Sequence, residues 1–520
     1  MPATGIRNTG QRRVDLRRIP AEPRREEDRP MTGDDELIRL ANSVLWPGFL
    51  GTSVSPWLAD ALEHGLAGVV YFGQNLHGDT AALSAEIHRL SPTALIGIDE
   101  EGGSVTRLET ETGSTLPGAA QLGAVDDLEA TRATGYEIAR RVDAIGADLV
   151  IAPVADVNTD PRNPVIGVRA FGSDTELVSR HVQAAVRGIQ DAGLAACAKH
   201  YPGHGDTHLD SHHDLPRLTL TSDEIAAVHL PPFHAAIAAG VHSIMTAHIC
   251  APSWGEAPAT LNPKVLGGLR AAGFDGVIIT DALDMAAIRE TVGLGGGAVQ
   301  ALTAGADLLC IGNPTNPGAA MLPNQDEDDY RSVRDAVVEA LRDGSLPRER
   351  VEEAAARVRR LSAAVRSRRT PDAVSLDAAT IADRAVTVHG DLPALRDEPT
   401  TVIDVRRAST LAVDSAASHV AVALAAGGEI VRLDAATAAE ADIVRAAERA
   451  RQGQAVLLAD RVDDDSPQRA VLDGIRSAQP DIITVNVGLP ATTPHPGALI
   501  EVRAASLLAA QAARRALLGA

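Results

Sequence analysis

The run Ala195-Ala196-Cys197-Ala198 passes without a break into Lys199-His200, so a short apolar segment ends on a cation and an imidazole. That is the pattern of a buried strand whose C-terminal end opens onto something polar. It recurs between residues 43 and 312, with apolar runs at 43–49, 68–72, 94–98, 149–153, 195–198, 242–246, 276–280 and 307–311. Between several of them lie amphipathic stretches, 126–143 and 174–192 among them, with Ala, Leu, Val and Ile on a helical period. Near-continuous apolar strands alternating with helices predict a parallel sheet covered on both faces. Eight such units match the length of a (β/α)8 TIM-like barrel, bounded here at 33–330. A doubly wound open sheet has the same periodicity.

Outside that region the pattern changes. Residues 331–373, rich in Ala, Arg, Glu and Val, read as a helical linker that Thr370-Pro371 breaks. From 374 to 520 a second alternation, with apolar runs at 401–405, 455–459 and 481–487, predicts a smaller α/β sandwich. It carries no His–Asp cluster, and His389, His419 and His495 are expected at its surface. Residues 1–32 are rich in arginine and lack an apolar core segment, so they read as a disordered tail rather than a secretory signal, with Met31 as an alternative start.

Composition narrows the function classes. Of 520 residues 45% are hydrophobic but only 2% aromatic, so Ala, Val, Leu and Ile must build the core. A formal charge of −21 argues against nucleic acid as a partner, because that affinity comes from cations neutralising phosphates. No apolar run is long enough to predict a membrane span. Cys197, Cys250 and Cys310 lie far apart in apolar surroundings, which predicts buried free thiols and a cytoplasmic address.

Chemistry-capable residues follow the strands. Ile98 leads to Asp99-Glu100-Glu101-Gly102-Gly103 with Arg107 close behind. Pro153 leads to Asp156, Asn158 and a loop carrying Arg169; Thr246 leads to Ala247-His248, and Thr280 to Asp281. In a closed barrel these positions share one rim. The densest constellation is Lys199 to His213, with His200, His204, Asp206, His208, Asp210, His212 and His213. By composition loop 204–213 suits Zn²⁺ or Fe²⁺ and a metal-dependent hydrolase. Pro202, Gly203 and Gly205 prevent a helical ligand pair, however, and the HExxH spacing is missing. The other reading is an Asp–imidazole pair, Asp210 with His212, acting as general acid and base. Asp281 ends a buried strand and suits a nucleophile; Asp284, three residues on, is the competing candidate, but past the turn it is expected to cap the next helix.

Taken together these segments resemble the NagZ-type β-N-acetylglucosaminidases of glycoside hydrolase family 3. The likeness rests on Asp99-Glu100-Glu101-Gly102-Gly103 with Arg107, Val165 to Gly172, Lys199-His200, Pro202 to Thr207, Asp210-Ser211-His212, Met245 to His248 and Thr280 to Met285, in that order. The resemblance implies Asp281 as catalytic nucleophile and His212 as acid/base with Asp210 its partner. It implies that Asp99, Arg107, Arg169, Lys199 and His200 hold sugar hydroxyls and that His248 lines the site. It further implies a β-N-acetylglucosaminide substrate, no metal or other cofactor, and a flavodoxin-like fold for residues 374–520. Glu100 stands where many members carry Gln. The reaction implied is retaining hydrolysis through a covalent glycosyl-enzyme, in cell-wall recycling or other carbohydrate metabolism. An N-acetylglucosaminide phosphorylase would use the same intermediate, and a non-catalytic sugar-binding protein would not need Asp281 and His212 together.

Overall fold

A computed structural model describes residues 33–207, 216–316, 322–366, 374–407 and 417–519. Among the described residues eight buried strands occupy the first part: β1 (Leu45–Pro47), β2 (Gly68–Tyr71), β3 (Leu95–Ile98), β4 (Leu149–Val150), β5 (Ala195–Tyr201), β6 (Ser243–Thr246), β7 (Val277–Ile279) and β8 (Leu309–Gly312). Strands β2 to β7 form one parallel sheet in chain order, and β1 pairs in parallel with β8. Single parallel bridges join Gly48 to Val70 and Ile279 to Leu308. The protein is thus a mixed α/β fold with a parallel, curving half-barrel.

Alternation along these strands sorts the core into two sides. Val70, Leu95, Leu149, Ala195, Cys197, Met245, Val277, Ile279 and Cys310 belong to one inner cluster with Trp46. Tyr71, Ile96, Ile98, Ala196, Ala198, Ile244, Ile278 and Ile311 belong to the outer cluster that faces the helices. Trp46 fills the inside against Gly97, where a Cβ would fall 2.1 Å from the indole, and its Nε1–H donates to the Leu95 carbonyl at 2.8 Å. With so few aromatics, one indole at a glycine does the filling that smaller aliphatics cannot.

The segment expected as a linker has another role. Helices Gln325–Asp343 and Arg348–Arg366 pack on the strands, and Val358, Leu361 and Val365 of the second helix enter the inner cluster. Its Arg350 pairs with Asp307 at 2.6 Å, Ser362 donates to the Thr93 carbonyl and Arg366 to that of Ala94. The helical period was legible, but the apolar stripe of Arg348–Arg366 needs a surface to bury against, and the strand ends supply it. Residues 331–366 therefore belong to the first module.

The second sheet contains β9 (Thr387–His389), β10 (Thr401–Asp404), β11 (Ile430–Arg432), β12 (Ala455–Ala459), β13 (Ile483–Asn486) and β14 (Leu499–Glu501). Their order is β11-β10-β12-β13-β14-β9, parallel except for β9. Helices Ser418–Ala425 and Leu507–Leu518 cover one face, and Glu440–Ala450 and Pro467–Ala478 the other. Of the histidines expected at the surface, His389 is exposed, while His419 and His495 are half-buried. The three cysteines are buried free thiols. No described helix is long and apolar enough to cross a membrane.

Candidate active site

The parity of the strands decides which polar residues point inward. Leu95 and Gly97 precede Asp99, Ala195 and Cys197 precede Lys199, and Val277 and Ile279 precede Asp281, each at intervals of two. All three line one cavity of about 350 Å³, together with Glu101, Arg107, Arg169, His200 and His204. Adjacent residues normally face opposite sides, yet both Lys199 and His200 reach the cavity. The pairing of β5 with β6 shifts register between Ala198 and Tyr201, and Lys199 bridges to Val154 there, so the irregularity turns both side chains the same way.

Glu101 ties the cations together. Its carboxylate accepts from Lys199 Nζ at 2.6 Å and from Arg169 Nη2 and Nε at 2.7 and 2.9 Å. Lys199 also pairs with Asp99 at 2.6 Å, and Arg169 Nη1 donates to the Val165 carbonyl at 3.0 Å. Burial pushes the Glu101 carboxyl up, but the charges of Arg169 and Lys199 overcome it and hold it well below the usual carboxylate range. Burial likewise opposes the charge on Lys199, and Asp99 and Glu101 reverse that, raising its pKa. The charges of Asp99, Glu101, Arg169 and Lys199 are matched, so these four offer charge-assisted hydrogen bonds with little net field. Such a surface suits a neutral polyhydroxylated ligand.

Asp156 orders the opposite residues. It accepts from His200 Nδ1 at 2.8 Å and from the His204 backbone N–H at 2.7 Å. Because the carboxylate accepts from Nδ1–H, the Nε2 edge of His200 is left for a ligand. Burial would raise the Asp156 carboxyl, but the neighbouring imidazoles and the His204 amide outweigh it and hold it low. Burial pushes His204 down to about 4, so it stays neutral near pH 7.

Asp281 Oδ1 accepts from the Ala282 N–H at 2.8 Å. His248, expected to line the site, is instead wholly buried behind this turn. Its Nε2 meets the Ala282 carbonyl at 2.8 Å, which can only accept, so Nε2 carries a proton; Nδ1 meets Thr260 Oγ1 at 3.0 Å. His248 therefore braces the peptide after Asp281. The expected capping role of Asp284 is not seen either. Met285 occupies the N-cap of helix Ala286–Arg289, and Asp284 is buried, accepting from Asn316 Nδ2 at 2.7 Å. A glycine at 312 makes room for it, since a Cβ there would fall 1.9 Å from the Asp284 carboxylate.

Asp210 and His212, with His208 and His213, lie outside the described residues. Among the described residues no group of three or more His, Cys, Asp or Glu is arranged to hold a metal ion. Asp99, Arg107, Arg169, Lys199, His200 and Asp281 come together, as expected from their strand-end positions. The sequence places Glu101 and Asp156 after strands but gives neither a role, and it does not pair Asp156 with His200. Parity carried the signal for Glu101, which falls on the side of Asp99, whereas Glu100 falls on the other. Glu100 is buried away from the cavity and accepts from the N–H groups of Arg107 and Leu108 at 2.8 and 3.1 Å. Burial raises its carboxyl from an ordinary 4.5 to about 7 despite those bonds.

Comparison with known proteins places this geometry in context. The family description "Glycosyl hydrolase family 3 N terminal domain" matches residues 56–361. Beta-hexosaminidase A of Pseudoalteromonas piscicida is 31% identical over 339 residues, covering 60% of this chain but only 55% of that protein, so the chain spans about half of that relative's length. A beta-hexosaminidase of Chromobacterium violaceum is 37% identical over 273 residues, 50% of this chain and 76% of that protein. The latter is therefore about 360 residues long (273 divided by 0.76), too short for a second module of the size seen here. Among solved structures, a glycoside hydrolase family 3 beta-N-acetylglucosaminidase from Paenibacillus sp. is similar with a TM-score of 0.79 and 29% identity, covering 93% of this chain and 96% of that one.

Proposed function

The chain belongs to glycosyl hydrolase family 3, and from that premise we propose that it is a retaining β-N-acetylhexosaminidase releasing terminal β-linked N-acetylglucosamine. The observation that carries the reading is Asp281, held at the end of a buried strand in a cavity of pre-paired Asp99, Glu101, Arg169 and Lys199. In this reading Asp99, Arg107, Arg169, Lys199 and His200 hold the sugar and set the anomeric carbon against Asp281. An Asp281 oxygen forms a bond to that carbon as the glycosidic C–O bond breaks. The leaving oxygen takes a proton from the His212 imidazolium, which Asp210 orients. Water then adds to the anomeric carbon, gives its proton to the neutral imidazole and frees the Asp281 carboxylate. Positioning by the paired charges contributes several kcal/mol to lowering the barrier, at its upper range about 7–11.

We read the strands at 33–330 as one closed (β/α)8 barrel, supported by the single bridges from β1 to β2 and from β7 to β8. Residues 374–520 are read as a flavodoxin-like sandwich, supported by helices on both faces of the second sheet. The three buried free thiols support a reducing compartment.

An aryl-glycoside panel tests the activity. β-N-acetylglucosaminide should be cleaved far faster than β-N-acetylgalactosaminide or β-glucoside, and preference for the glucoside would overturn the assignment. Formation of the sugar 1-phosphate in phosphate buffer would instead mark a phosphorylase. Loss of activity with chelator, together with a stoichiometric bound ion, would mark a metal-dependent hydrolase at loop 204–213.

A further inference from the structure

The loop between β3 and helix Ala119–Val125 carries Asp99, Glu101 and Arg107, and its two sides meet different modules. Its inner side supplies Glu101 to Lys199 and Arg169 and brings Arg107 to the cavity. Its outer side is gripped by the second module. The Ala505 N–H donates to Ser104 Oγ at 2.9 Å in a buried contact. The Leu508 N–H donates to the Ser114 carbonyl at 3.1 Å. Leu508 lies in the first turn of helix Leu507–Leu518, where amides have no partner inside the helix, so the loop carbonyl satisfies one of them.

Close packing accompanies these bonds. Gly103, at φ +56°, is crowded by Gly118 of the same loop, where a Cβ would fall 2.5 Å from its Cα, and also touches Ala504 at an ordinary contact distance of 3.7 Å. Gly113, at φ +85°, lies against the His419 ring, where a Cβ would fall 2.3 Å from Cδ2. The first module holds the loop as well, through Arg141 on Glu109 at 3.0 Å. Contacts at Gly103, Ser104, Gly113 and Ser114 thus flank Arg107 on both sides.

We propose that the second module positions the sugar-binding loop, with Ser104 and His419 as positioning residues that act through Arg107 and Glu101. This rests on the reading of the cavity as a sugar site. The cavity-lining residues named above all come from the first module, and a relative of about 360 residues has no room for a second one. What the second module adds is therefore constraint on the loop.

The test uses Ser104→Ala and His419→Ala in the full chain, with an aryl β-N-acetylglucosaminide. KM should rise by about tenfold in each, while kcat falls by a smaller factor, because the loop holds and orients the sugar but does not supply the reacting atoms. Ser104→Thr keeps the hydroxyl and should restore the parent KM. Amide hydrogen exchange in residues 99–118 should quicken in both alanine variants and stay unchanged in β5 and β7, a readout that needs no activity. A purely structural role would lower Tm and the fraction of active protein with KM unchanged, and that result overturns the proposal. If Ser104→Ala does not fold, an unchanged KM and unchanged exchange in folded His419→Ala overturn it alone. A parent inactive on every glycoside sinks the sugar reading instead, and the exchange result still decides the grip.

Discussion

Both sheets of this protein end their strands on polar residues, but the cavity at the first is about 350 Å³ while the one beside the second, lined by Arg407, Asp460, Val487 and Gly488, is about 90 Å³. In the first sheet Asp99, Lys199 and Asp281 continue the inward parity of their strands and meet in one cavity. In the second, Asp404 is taken up by Arg406 at 2.8 Å, with side-chain exposures of 3% and 0%. Asp460 accepts from Gln468 and Arg407, Asn486 from the Gly488 N–H, and Glu501 from the Ala491 N–H. Those groups are taken up within the second module. A polar residue after a strand is therefore not by itself a sign of chemistry. It becomes one when curvature brings several of them to one concave surface with edges left over for a ligand.

The sharpest way to break this contrast is at Asp281. Asp281→Ala should lower kcat by about 10⁴-fold or more while leaving Tm near the parent value, since a covalent step is lost at a half-buried side chain. A fluorinated substrate analogue should label Asp281, and labelling at Asp284 would refute the assignment.

The Asp210–His212 pair should come next. His212→Ala should cost about 10²–10⁴-fold on substrates with poor leaving groups and much less on activated aryl glycosides. Asp210→Ala should follow the same dependence, and the double variant should be little worse than His212→Ala. Simple multiplication of the two losses, or no dependence on the leaving group, would return Asp210 to a loop-structuring role.

In the second sheet the same kind of change should show up as stability. Asp404→Ala breaks the buried Asp404–Arg406 pair and should cost about 3–5 kcal/mol in denaturant unfolding. The molecules that remain folded should still take label at Asp281. A loss of labelling in proportion to kcat would erase the distinction between the two sheets.

The smallest effect concerns Glu100, which sits behind the cavity. With its carboxyl raised from 4.5 to about 7, the folded protein keeps a proton that the unfolded chain releases. Its contribution to stability is thus present below about pH 4.5 and is lost as pH rises toward 7. Glu100→Gln keeps an acceptor for the Arg107 and Leu108 amides and removes the titration. Above pH 7 the variant should be more stable than the parent by about 1–3 kcal/mol, with the gap closing on acidification. Equal Tm values across pH 5–8 would show that water or a proton donor screens Glu100 in the folded state.

Much of this was legible in order of residues alone. Near-continuous apolar runs located the strands, and Asp99, Lys199 and Asp281 stand where those runs stop, because a buried strand can turn polar only where it leaves the core. The spacing of Asp210 and His212 and their resemblance to a family element were equally readable. Tertiary structure decided the rest. Glu101 meets Lys199 and Arg169 across 98 and 68 residues of chain, so no local pattern could pair them. His248 looks like any strand-end histidine until the Ala282 carbonyl is found opposite its Nε2. Helix Arg348–Arg366 reads as a linker until its stripe meets the inner cluster. In each case a short-range pattern sets which way a side chain can point. What waits there is set by parts of the chain that only folding brings close, and a buried charge takes its protonation from that company.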